Sequence, residues 1–360
     1  MEMKDFPGVE VRVGRVRIGQ GVRIGAGTVI VADDLVLADG AVVGSGCDLR
    51  SAHLELGPGA QVGEGNRWLV ADQAVLGAGT VVDAGADVVC RRWSVGDGSY
   101  IGHRLRVGAG ASMEERSVVR IGCRCQIAPD VVVNPTEQVV IGDEVGISAQ
   151  VAIWTHGYHA GHAVRDGHRA AFAGVEVGDR VWLGFRSVLL PGVRVGAGTV
   201  VAAMATVNRS LPAGVLAAGV PAQVKRALEP VALDVAARRE AVAGLLEIWL
   251  ERLRFKGAAV EPMDTGGAAG RWSVTAGTQR WEVAWRAADD GERPGVVELA
   301  RREAGVAPVV FDFAEPLAVR GVLDDLGHDL RDHLRRATWL FPYEGNSRGL
   351  VPERFARLLR

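Results

Sequence analysis

Aromatic residues are scarce in this chain, 6 % of 360 residues against 48 % hydrophobic residues overall. The core they leave is mostly small and aliphatic, which suits a narrow stack better than one large globular interior. Charge imbalance is missing too. With 41 Lys and Arg against 43 Asp and Glu, a net charge of −2, bulk charge attracts neither nucleic acid nor an anionic membrane surface. No uninterrupted apolar run is long enough to span a bilayer, and the opening MEMKDFPGVEV lacks a basic segment followed by an apolar one. A cytoplasmic protein is expected. Cysteine is also rare: Cys47, Cys90, Cys123 and Cys125 form no spaced framework and read as reduced thiols, and Cys123-x-Cys125 lacks the second pair of a metal site.

Glycine, in contrast, is abundant at 48 of 360 residues, about 13 % where ~7 % is usual. It follows a beat. From Val175 to Arg226 an aliphatic residue returns every sixth position, at Val177, Leu183, Leu189, Val195, Val201 and Val207, often with glycine beside it. A helix face recurs near 3.6 residues and a strand face at 2, so a sustained six means a short strand, a turn, and the same again. Such units stack as a hexapeptide β-helix, each covering its neighbours' apolar side. The beat begins with Ile18, Ile24, Ile30, Val36 and Val42, then slips and resumes several times, as at Leu56, Val62 and Trp68. With three six-residue sides per coil, residues from about 10 to 210 give roughly ten coils, a rod of roughly 50 Å at ~4.8 Å per rung. The GxG pairs belong to this repeat; none extends to a phosphate-binding GxGxxG or GxxxxGK[ST].

One interruption breaks the pattern. Between Ile153 and Val177 the phase is kept, yet the intervening residues do not follow the repeat, so a loop leaves the coil and returns in register. It holds His156, His159, His162 and His168, four of the eight histidines. Loops carried on a rigid scaffold are where chemistry concentrates.

The motifs VEVGDRVWLG, VLLPGVRVGAGTVV and LPAGVLAAGVPAQVKR, in this order and preceded by the THGYH loop, resemble the hexapeptide-repeat acyltransferases, which include maltose, galactoside and capsular-sugar O-acetyltransferases. The repeat covers about 200 residues, the acyltransferase signature only about Gln126 to Arg226. The resemblance implies a left-handed coil, an exception to the right-handed crossover rule. It also implies a homotrimer, with acetyl-coenzyme A or another acyl donor bound between subunits, and a sugar acceptor. Such chemistry needs a base near neutral pKa and fixed donors for the oxyanion.

The family motif places the base a fixed distance after Thr155. A one-residue insertion gives His159 as first choice, His156 as second, with Tyr158, His162 and Asn134 on the acceptor side. Asn134 is read in two ways, as a polar residue from the preceding coil that orients the base or as a corner residue with left-handed dihedrals before Pro135. The donor is expected along Trp182, Gly184, Phe185 and Ala203, and its nucleotide end among Arg209, Lys225 and Arg226. Phe185, Arg186 and Met204 depart from the small residues usual beside the thioester channel, which leaves acyl-chain length open. No metal is expected.

Beyond Arg226 the composition shifts. Asp234 caps a helix running to about Lys256, with Val242, Leu245, Trp249 and Leu253 along one stripe. Met263 to Gly270 reads as a linker. RWSVTAGTQRWEVAW predicts a hairpin turning near Ala276 and Gly277, PVVFDF a strand, and Val322, Leu326, Leu330 and Leu334 an amphipathic helix with Arg and Asp outside. The three tryptophans of this region read as core, and His328 and His333, five apart, do not align as ligands. The expected organisation is a β-helix over 1–226, a helix and connector over 227–257 and a small α+β domain over 258–360. Two other function classes share the coil: a non-catalytic scaffold, favoured by Phe185 and Met204, and a γ-carbonic-anhydrase-like zinc enzyme, disfavoured because the histidines cluster on one extruded loop.

Overall fold

The glycine-rich beat folds as a parallel β-helix, followed by a helix and a small α+β unit, as expected. The computed structural model describes residues 6–108, 113–157, 167, 171–229, 233–264, 270–288, 291–303, 305–314 and 317–336. The chain divides into two compact units, Met1–Glu229 and Pro230–Arg360.

One side of the first unit is a ladder of two-residue strands. It runs from Arg23–Ile24 through Tyr100–Ile101, Gly146–Ile147, Trp182–Leu183 and Val200–Val201 to Val215–Ala218, ten parallel rungs, and the antiparallel strand Gln223–Ala227 closes it. Each rung sends one aliphatic residue inward. Val43, Val62, Val82, Ile101, Ile127, Ile147, Leu183 and Val201 are all 2 % exposed or less, while their partners face out.

Three equal six-residue sides hold strictly only from Val175 to Val207. In the first half the strands Val29–Leu37, Asp48–Leu56, Arg67–Leu76 and Asp87–Val95 run nine or ten residues straight through the third corner. There the chain bends without a tight turn: Ser51 Oγ donates to the His53 carbonyl at 2.8 Å, and pairing with the next coil shifts between Ser51 and His53. The extra residue is expelled at the bend. Register then resumes at Leu54↔Ala74 and Leu56↔Leu76.

At another corner the positive-φ glycines Gly27, Gly46, Gly65 and Gly85 give way to Arg104, Asp130, Gln150, Arg186 and Met204, all at φ between 56° and 63°. A Cβ resists this left-handed backbone. Arg104 offsets it by gripping Asp130 with two bonds of 2.7 and 2.8 Å, and Arg186 by bonding Gln150.

The core is not uniformly small. Trp68 and Trp93, 1 % and 0 % exposed, meet edge to face with centroids 4.6 Å apart inside the coil. Trp93→Ala is expected to destabilise this unit by about 3–5 kcal/mol, measured by denaturant unfolding, because a narrow stack cannot collapse around the void. Trp93→Phe should cost much less, since the buried Trp93 Nε1 has no hydrogen-bond partner to lose.

In the second unit, helix α1 (Val235–Phe255) starts where Asp234 accepts from the Ala237 amide at 2.8 Å. Its residues Val242, Leu246, Trp249 and Leu253 share one core with Trp281, Val283, Trp285 and Phe311 of a six-stranded antiparallel sheet and with Leu326, Leu330 and Leu334 of helix α2 (Asp325–Arg336). The hairpin turns at Gly277, with Ala276 paired to Gln279. Three expectations need correction. The strand Ala259–Asp264 takes up the start of the expected linker. Val322 lies outside α2 and is 88 % exposed. The polar side of α2 is not outside: Asp329 and Arg331 are buried, and Asp329 is satisfied by the Trp249 indole at 2.9 Å and by Lys256. TWLFPY and PERFARLLR lie outside the described residues.

Candidate functional site

In the second half of the first unit, one corner of the coil opens into loops. The strands Arg106–Val107, Val132–Asn134 and Ala152–Trp154 end there at successive levels and the coil resumes with Val118–Ile121, Val139–Ile141 and Val175–Val177, in register through Val133↔Ile153 and Ile153↔Leu189. Asn134 and His156, 22 residues apart in sequence, meet there because one coil lies on the next.

Asn134 ends the extended strand Val132–Asn134 and is fully buried. The left-handed alternative does not hold, since a residue before proline is pushed to extended backbone. Its amide is fixed at both ends. Nδ2 donates to the Gly108 carbonyl at 2.8 Å, and Oδ1 accepts from the Thr136 amide at 3.2 Å and the Thr136 hydroxyl at 2.9 Å. His156 Nδ1 lies 2.9 Å from the same Oδ1. An acceptor there requires Nδ1 to carry the hydrogen, so the neutral ring keeps its lone pair on Nε2.

Three further groups hold the ring. Buried Thr155 donates to the Asn134 carbonyl at 2.8 Å and accepts from the Glu137 amide at 2.9 Å, which locks the residue before His156. Phe172 stacks on the imidazole at 6.1 Å and 20°, and Trp154 meets it edge-on at 5.8 Å. Phe172 arrives because His156–Gly157 pairs antiparallel with Ala171–Phe172, a two-residue neck at the base of the loop. Where the loop re-enters the coil, a cleft of about 240 Å³ is lined by Gln138, Val140, Gly174, Glu176, Gly192 and Arg194. Thr136 and Phe172 were not apparent as functional in the sequence. The Asn-Pro-Thr run was the available signal for the first, and nothing local marked the second. Tyr158, His159, His162 and His168 lie outside the described residues.

The donor-side candidates gather at a different corner. Gly184 is required there: a Cβ would lie 2.5 Å from the Ala203 backbone nitrogen of the next coil. Around it Trp182 (56 % exposed), Phe185 (42 %), Met204 (59 %) and Val220 (74 %) leave an apolar strip in the open. The Met204 amide donates to the Phe185 carbonyl at 2.8 Å, so the strip climbs coil by coil, past Ala203. Trp182 is oriented by its indole bond to Ser148 Oγ at 3.1 Å.

Lys225 and Arg226 lie on the closing strand of this side, where Arg226 pairs with Leu216. Arg209 does not join them. It follows Val207 at the loop-bearing corner, on the edge of His156. One side of the coil separates the two corners, on the order of 15–20 Å for six extended residues. A single chain therefore does not bring the histidine to the apolar strip.

Two buried cysteines are held as thiols. Burial pushes Cys90 up to about 12 and Cys125 up to about 11. Among the described residues there is no group of three or more His, Cys, Asp or Glu arranged to hold a metal. No helix among them is long and apolar enough to cross a membrane.

No family model matches the chain. Among curated proteins it is similar to the galactoside O-acetyltransferase of Escherichia coli (strain K12), 35 % identical over 88 residues, which is 24 % of this chain and 43 % of that protein. WbbJ of the same organism, assigned by name to O-acetyl transfer in lipopolysaccharide biosynthesis, is 30 % identical over 134 residues, 34 % of this chain and 68 % of WbbJ. Across these two relatives the chain thus spans from about two fifths to two thirds of their length. Among solved structures, the hexapeptide-repeat acetyltransferase VCA0836 of Vibrio cholerae, complexed with acetyl-coenzyme A, aligns at 26 % identity over 38 % of this chain and 71 % of that one, with a TM-score of 0.33.

Proposed function

The chain belongs to the hexapeptide-repeat acyltransferases, and from that premise we propose that it transfers an acetyl group from coenzyme A to a hydroxyl of a sugar or sugar-containing acceptor, with His156 as the base. The observation that carries this reading is the 2.9 Å bond between His156 Nδ1 and the immobilised Asn134 Oδ1. It presents Nε2 as a proton acceptor, in a ring clamped between Phe172 and Trp154.

The chemistry follows from that tautomer. As the acceptor oxygen attacks the thioester carbonyl, its proton passes to Nε2. The Asn134 amide keeps Nδ1–H in place and orients the imidazolium while the tetrahedral oxyanion forms. When the C–S bond breaks, Nε2–H returns the proton to the departing thiolate. The donor's pantetheine arm lies along the Phe185–Met204 strip, and its nucleotide end meets Lys225 and Arg226. Phe185 and Met204 crowd the channel and favour a short acyl group. Because strip and base occupy different corners, neighbouring chains of a cyclic trimer complete each site, with Arg209 coming from the chain that supplies His156.

Calorimetry with acetyl-coenzyme A tests the donor half. Micromolar binding is expected, weakened about tenfold by Arg209→Ala through loss of a charge-assisted phosphate contact. Absence of binding in folded, oligomeric protein would overturn the reading in favour of a non-catalytic scaffold, which the bulk of Phe185 and Met204 would then explain.

A further inference from the structure

The side of the coil that follows the loop-bearing corner stacks Val139–Ile141, Val175–Val177 and Arg194–Val195 in register through Val140↔Glu176↔Arg194. Val139, Val175, Val177, Val193 and Val195 are buried, so the residues between them face out. Two outward columns result. One is Val140, Glu176 and Arg194; the other, nearer the loop, is Gln138, Gly174 and Gly192, where Val175 N donates to the Gln138 carbonyl and Gly192 N to the Gly174 carbonyl. The cleft of about 240 Å³ is the hollow these columns leave.

Both glycines are set by the backbone. A Cβ on Gly174 would lie 2.8 Å from the Gln138 carbonyl oxygen, and Gly192 holds φ at 82°, a left-handed conformation that side chains resist. The floor is therefore open without any side chain swinging aside. Its walls offer donor and acceptor together. Glu176 Oε1 accepts from the Arg194 guanidinium at 3.0 Å, one bond between two side chains that are each more than half exposed. That bond engages one of five N–H donors and one of two carboxylate oxygens. A hydroxyl donates and accepts at once, so a carboxylate beside a guanidinium, with the Gln138 amide across the floor, matches it; an anion would meet Glu176 as a like charge.

The cleft adjoins the base. Gln138 comes two residues after Thr136, whose hydroxyl is 3.2 Å from His156 Nδ1, and Gly174 comes two residues after Phe172, which stacks on the same ring. Two extended residues span about 7 Å. The hollow is also smaller than the ~300–1,000 Å³ of pockets that enclose a whole drug-sized ligand. Resting on the transferase reading above, we propose that this cleft is an acceptor subsite for the neutral sugar ring next to the one that is acetylated, with Gln138, Glu176 and Arg194 binding its hydroxyls. The acceptor is then a di- or oligosaccharide rather than a single sugar.

Steady-state transfer from acetyl-coenzyme A by the full chain tests this with two pairs of acceptors, methyl glucoside against maltose and methyl galactoside against lactose. The extra ring is expected to raise kcat/KM about tenfold or more in at least one pair, chiefly through KM, because the cleft is remote from the reacting atoms. In the Glu176→Ala, Arg194→Ala double variant, which removes both charges together, the ratio should fall to about one, and in Gln138→Ala about threefold. A ratio of two rates on one preparation does not change with the fraction of chain that has folded. A wild-type ratio near one in both pairs, a preference that survives in the double variant, or loss of all transfer in that variant would overturn the subsite and leave the transferase reading intact. No transfer by the wild type to any of the four acceptors would count against the transferase reading itself, and the subsite would fall with it.

Discussion

A His156→Ala chain is expected to bind acetyl-coenzyme A as the wild type does and to lose acyl transfer by about 10²–10⁴-fold, the range for removing a positioned general base. Binding should survive because the proposed donor contacts, the Trp182–Phe185–Met204 strip with Arg209, Lys225 and Arg226, are all left in place by the substitution. Steady-state transfer to sugar acceptors, read beside calorimetry, separates the two effects. Asn134→Ala supplies the second measurement. It leaves the imidazole in place but removes the acceptor that fixes its tautomer, so kcat should fall about tenfold or more with KM nearly unchanged. The two substitutions act on one device, so the double variant should be scarcely worse than His156→Ala alone. Full activity in His156→Ala together with a large loss in His159→Ala would move the base to the second histidine and sink the Asn134 argument with it.

The parts of the fold legible in the sequence are those set by local period. Inward residues such as Leu183, Leu189 and Val195 announce themselves because a six-residue unit repeats the same inside and outside at every coil. Asp234 and Gly277 were readable for the same reason, since a cap and a hairpin are short-range chemistry. What was not readable depends on neighbours distant in the chain. The bends at Ser51 and His53 appear in sequence only as a lost beat. Trp93 falls off the six-residue phase yet packs on Trp68, and Asp329 looks like a solvated helix residue until Trp249 and Lys256 close over it.

The site divides along the same line. Asn134 and His156 were both candidates, but their contact arises from coil stacking, which spacing from Thr155 does not encode; that spacing ranked His159 first. Arg209 was grouped with Lys225 and Arg226 because all three follow the last coils, where a donor groove should end among basic residues, and because the family resemblance implies a phosphate contact at Arg209. The coil turns between them and puts them on different edges.

That separation of edges leads to a test of assembly. His156→Ala and Ala203→Trp chains, each inactive alone, are expected to regain activity when unfolded together and refolded as a mixture. Ala203 is exposed on the apolar strip, so a bulky ring there blocks the donor path without entering the core. In a cyclic trimer every site takes its strip from one chain and its histidine from the next. With equal amounts and random assembly, half the strips and half the histidines are intact and they combine independently, so about a quarter of wild-type activity should return. A site contained within one chain predicts none, because each chain then carries a broken half of its own site. The fraction recovered, compared with the oligomeric mass of the mixture, therefore reads out the geometry directly. Recovery near a quarter requires strip and base to come from different chains, whereas no recovery from trimeric mixtures would require the loop to carry a base across the coil to its own donor.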